Sequence, residues 1–166
     1  GKSNLLSAMN LLREFVLSGS LDFHGFNEGL AFRFDPSCLG KASGMAIEFC
    51  QNDKVFYYHI EFKGRELVLE ELLLSKKTKD IPIIQREGGN IKLNGDFLTN
   101  GVNDEFLNAL DRLVRPDMLL FSFLGQYYHS ESELVAEAYS WFADLFRVVL
   151  PDTISGHVPH LFDKYE

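Results

Sequence analysis

The sequence predicts an α+β domain in which one helix precedes an antiparallel β meander and a helical region follows it. Three observations predict this. Leu5, Leu6, Met9, Leu12, Phe15 and Val16 recur at three- and four-residue steps, the spacing of a helix with one buried stripe. From about 29 to 98 the chain alternates in short runs broken by turn residues, too closely spaced for crossover helices. From about 103 to 150 the helical spacing returns, and residues 151–166 read as a connecting tail.

The first helix is expected over about 3–18, capped by Ser3 or Asn4 and followed by Gly19 at its plausible end. The meander begins with a short strand, Leu30–Phe34, closed by Asp35-Pro36. Gly44–Cys50 and Lys54–Phe62 alternate, with Gln51-Asn52-Asp53 as the turn between them. In the second of these, Phe56, Tyr58, Ile60 and Phe62 share one face, and Tyr57, His59 and Glu61 the other. Arg65–Leu74 follows through Lys63-Gly64, then Ile81–Arg86 and Asn90–Leu93 around Gly88-Gly89, a hairpin signal; Asn94-Gly95 reads as one more tight turn. In the helical region Phe106, Leu107, Leu110, Leu113 and Val114 form one stripe, ended by Pro116. Met118–Tyr127 is almost continuously apolar, as a buried helix would be. Ser130-x-x-Glu133 fits a capping box. A long helix then carries Leu134, Val135, Ala138, Trp141, Phe142, Leu145 and Phe146 on one side and stops at Pro151-Asp152.

At 166 residues the chain is large enough for one substantial core, and 15 Phe, 6 Tyr and one Trp predict that the core is aromatic. A formal net charge of -8 argues against a general nucleic-acid-binding surface on this segment, which would want a basic stripe. Cys38 and Cys50 have neither metal nor redox spacing, so free thiols in a reducing cytoplasm are expected. No apolar run is long enough to span a bilayer, and no membrane partner is expected.

The chemistry is carried by Gly1-Lys2-Ser3-Asn4 at the start of the first helix. These residues match the second half of a phosphate-binding P-loop, G-x-x-x-x-G-K-[ST]. Gly1 would let backbone approach phosphate closely, Lys2 would reach the β- and γ-phosphates, and Ser3 would ligate the Mg²⁺ that bridges them. The helix N-terminus adds unpaired N–H groups and a positive partial charge. Ser3-Asn4 before an apolar helix is also ordinary capping.

The order of elements resembles the N-terminal part of an ABC-type ATPase head. It is most similar to the AAA-family ATPases grouped with the OLD and abortive-infection phage-defence proteins. Gly1-Lys2-Ser3-Asn4-Leu5-Leu6 carries the resemblance first. The aromatic strand Val55–Phe62 leading into Leu67–Leu74, the segment Leu119–Gln126, and Trp141-Phe142 with Pro151-Asp152 ten residues on follow in the family's order. The resemblance implies binding of ATP and Mg²⁺ and a homo-oligomer formed through the ATPase heads. It also implies a coupled nuclease or other effector, and a role in antiviral defence or DNA maintenance. Gln126 would correspond to the glutamine that meets Mg²⁺ and the attacking water in such heads; the competing reading is a polar residue closing a helix before Tyr127-Tyr128. Neither an ABC signature nor a Walker B pattern occurs: Leu67-Val68-Leu69-Glu70-Glu71 comes nearest, with Glu70 where Asp is required. The resemblance places both motifs downstream of Glu166, so this segment is expected to bind nucleotide without hydrolysing it alone.

Other candidates are weaker. His157 and His160 lie near Asp163, but Pro159 between them argues against a shared metal. His24, His59 and His129 are scattered, Glu70-Glu71 reads as a strand edge, and Lys76-Lys77-Thr78-Lys79 as a solvated turn. The alternative function is a non-catalytic α+β interaction module whose aromatic-rich sheet binds a protein.

Overall fold

Alternation in the β region produces a five-stranded antiparallel sheet in the order β1-β2-β3-β4-β5, a simple meander. The structure is a computed structural model; it describes residues 2–22, 41–95 and 101–149, with side chains from Asn4 onward. The strands are β1 (Ser43–Gln51), β2 (Lys54–Lys63), β3 (Glu66–Ser75), β4 (Ile81–Glu87) and β5 (Asn90–Leu93). The helices are α1 (Lys2–Ser18), α2 (Asp104–Leu113), α3 (Leu120–Tyr127) and α4 (Glu133–Ser140), the last continued by a π turn over Trp141–Leu145. The expected strand Leu30–Phe34, Cys38, the Pro151-Asp152 stop and the tail with its histidines lie outside the described residues.

The turns have the chemistry their residues predict. Asn52 and Asp53 both take positive φ, at 47° and 61°, and Gln51 pairs with Lys54, so β1 and β2 close through a two-residue turn that matches strand twist. Gly88, at φ +56°, closes β4 on β5. Pro82 lies within β4, yet β5 pairs only with Ile84–Glu87, so the missing N–H falls where β4 is itself an edge. At the end of β5 the Asn94 backbone N–H and side-chain amide donate to the Ile83 and Pro82 carbonyls; the rest of the turn expected at Asn94-Gly95 lies outside the described residues.

One face of the sheet is the floor of the core. Phe56, Tyr58, Ile60 and Phe62 point there and are buried, whereas Tyr57, His59 and Glu61 face the other way and are half-exposed. The predicted aromatic sheet therefore turns its rings inward, against α1, α3, α4 and the π turn. Phe49 stacks on Trp141 with ring centroids 4.3 Å apart, Trp141 stacks on Phe146 at 4.7 Å, and Tyr58 meets Phe121 at 4.7 Å. Such pairs add about 0.5–1.5 kcal/mol each beyond the area they bury.

Three details of the helical region depart from expectation. Leu113, placed in the α2 stripe, is exposed, because α2 buries Leu110 and then ends in extended backbone at Val114. The cap of α4 is Ser132, whose oxygen accepts from the Val135 N–H at 3.4 Å, rather than Ser130. The long final helix widens into the π turn at Trp141. That turn brings Trp141, Phe142 and Phe146 around Phe49 and leaves Leu145 outside the stripe, 59% exposed.

Candidate functional site

The N-terminal end of α1 is the place where the motif residues meet a helix. Lys2 and Ser3 are its first residues, and Asn4 in the same turn is exposed; Gly1 lies outside the described residues. The first turn holds no acidic residue. A lysine in the first turn adds a positive charge to the positive end of the helix dipole. That field suits an anion.

Gln126 does not join this site. Its side-chain nitrogen donates to the Leu17 carbonyl at 3.3 Å and to the Tyr139 hydroxyl at 3.0 Å. Leu17 lies fifteen residues along α1 from Lys2, about 22 Å at the usual rise per residue. A magnesium ion held by Ser3 is out of reach of a side chain fixed at the other end of the helix. Its amide instead holds the C-terminal end of α1 against α3 and α4.

That end of α1 is tightly built. Gly19 takes φ +73° and donates to the Phe15 carbonyl at 2.9 Å, the left-handed cap the sequence anticipated. The Leu119 N–H donates to the Gly19 carbonyl at 3.0 Å and the Leu21 N–H to the Asp117 carbonyl at 2.8 Å. The Ser20 hydroxyl donates to Asp117 at 2.7 Å, and Arg115 grips the same carboxylate with two bonds of 2.9 Å. Those bonds, Arg115 first, hold the Asp117 carboxyl down at about 2.

A second cluster of charge is buried at the joint between sheet and helices. Glu70 and Arg86 stand opposite each other on β3 and β4, both buried. Glu70 accepts from the backbone N–H groups of Leu120 at 2.7 Å and Phe121 at 3.0 Å, and from the Tyr58 hydroxyl at 2.9 Å. Leu119, the residue at the cap position of α3, supplies no side-chain bond, so a carboxylate from the sheet caps that helix instead. Arg86 donates to the carbonyls of Gly88 at 3.0 Å, Met118 at 2.7 Å and Arg115 at 3.1 Å. The anion thus holds the N–H groups that open α3, and the cation holds carbonyls in the segment leading into it. Burial pushes the Glu70 carboxyl above its ordinary value, against the downward pull of the two N–H groups, the tyrosine and Arg86. Burial and then the Glu70 charge push the Tyr58 hydroxyl well up.

Glu70 is therefore not at a strand edge: β3 is the central strand, and Glu70 faces the core while Glu71 faces away, accepting from Gln85 at 3.1 Å. A signal was present in the sequence, since Glu70 falls in register with Leu72 and Leu74 on the apolar row. His59 lies on the outer face between Glu61 and Glu71, at 3.6 and 3.8 Å. No group of three or more His, Cys, Asp or Glu suited to a metal occurs among the described residues, and no described helix is long and apolar enough to cross a membrane. Comparison with protein families, curated proteins and solved structures finds no match to the chain.

Proposed function

We propose that the chain supplies the phosphate- and magnesium-binding helix of an ABC-type ATPase head, with Gly1 and Asn4 flanking Lys2 as the phosphate-reaching cation and Ser3 as the Mg²⁺ ligand. One observation carries this reading: α1 begins at Lys2, and its first turn holds a lysine and no acid. A helix start shaped for stability alone carries the opposite charge. The antiparallel sheet and the helices that follow α1 agree in order with such a head. ATP with Mg²⁺ is the proposed ligand, and hydrolysis needs a water-activating carboxylate that this segment does not supply. Antiviral defence or DNA maintenance, head-to-head pairing and an effector such as a nuclease are the functional setting that this reading entails.

The test is equilibrium binding and hydrolysis of Mg·ATP by the full-length protein and its Lys2→Ala variant. Loss of hydrolysis and of tight Mg·ATP binding in the variant is expected. Unchanged hydrolysis in the variant sinks the assignment of Lys2. An apolar strand followed by Gly-x-x-x-x immediately before Gly1 in the gene would complete the motif.

A further inference from the structure

We draw no further inference here: the strongest candidate, the cleft of about 320 Å³ between the Gly88-Gly89 turn and the end of α2, lined by Glu66, Arg86 and Asp111, is built around an Arg86 whose Nε, Nη1 and Nη2 already hold the Gly88, Met118 and Arg115 carbonyls, and nothing in the structure shows what covers or enters it.

Discussion

The starts of α1 and α2 are built to opposite rules. At α2 the Asn103 side chain accepts from the Phe106 N–H at 2.8 Å, Asp104 and Glu105 occupy the first turn, and Arg112 lies in the last. Each of these choices stabilises a helix. The start of α1 has Lys2 and no acid. The start of α3 is a third case, with no cap of its own and a carboxylate brought from the sheet. The difference teaches where to look for function. Local rules are kept at α2 and met from afar at α3, but at α1 they are broken with no compensation among the described residues, and such breaks gather at functional sites.

The largest effect expected is at the borrowed cap. Glu70→Ala leaves two helix N–H groups and a tyrosine hydroxyl without their acceptor and removes the opposite charge nearest the buried Arg86. The expected loss is about 3–5 kcal/mol in urea unfolding, as for a buried charge stripped of its partner. Glu70→Gln retains one oxygen and should lose about 1–3 kcal/mol. A loss near zero in the alanine variant would mean that α3 does not depend on the sheet for its start. The pH dependence has a definite sign. Because the folded Glu70 carboxyl is raised, its contribution is fully present below the ordinary glutamate value and fades as pH rises through the folded one. In Glu70→Gln that part of the decline should vanish.

The contact of α3 with α4 ranks second. A Cβ added at Gly125 would fall 2.5 Å from Cγ of Tyr139, inside any tolerable contact. Gly125→Ala should cost about 1–3 kcal/mol by overpacking. Adding Tyr139→Ala should recover part of that loss, a coupling that a double-mutant cycle reads directly. Additive losses would show that the two helices separate freely at this point.

How much of this was legible depends on the range of the interaction. The meander, its two-residue turn at Asn52-Asp53 and the glycine at the end of α1 follow from neighbours in sequence, and each was readable. Glu70 and Arg86 were not read as a pair, because their meaning comes from Leu120, Phe121 and Met118, tens of residues away, and from a register that no local pattern fixes. The place of Gln126 at the C-terminal end of α1 is hidden for the same reason. A motif supplies a residue type, but which end of α1 it meets is a tertiary fact. The π turn at Trp141 is also hidden: the apolar spacing continues through it, and the rings of Phe49 and Phe146 that stack on Trp141 come together only in the fold.

A smaller effect is expected where α1 ends. Asp117→Asn weakens the grip on Ser20 and Arg115. Since the folded carboxyl sits at about 2, below the ordinary aspartate value, its contribution is present above that ordinary value and lost as pH falls toward 2. The stability gap between wild type and variant, measured by urea unfolding at pH 6 and pH 3, should therefore narrow at the lower pH. A gap that does not change with pH would mean that the carboxylate charge has no part in holding that end of α1.

The smallest effect on stability carries the sharpest distinction. Lys2→Glu replaces a cation that opposes the α1 dipole with an anion that favours it, and should raise stability by about 0.3–1 kcal/mol at low salt. The same change puts a negative charge where the proposed ligand brings its phosphates, so Mg·ATP binding should be abolished. The two outcomes point in opposite directions. If Lys2→Glu raised stability and left Mg·ATP binding intact, the lysine would be an accident of sequence and α1 an ordinary helix with a poor start. If stability rises while binding is lost, the cost at the start of α1 is explained by the ligand that Lys2 serves, which sets that end apart from α2 and α3.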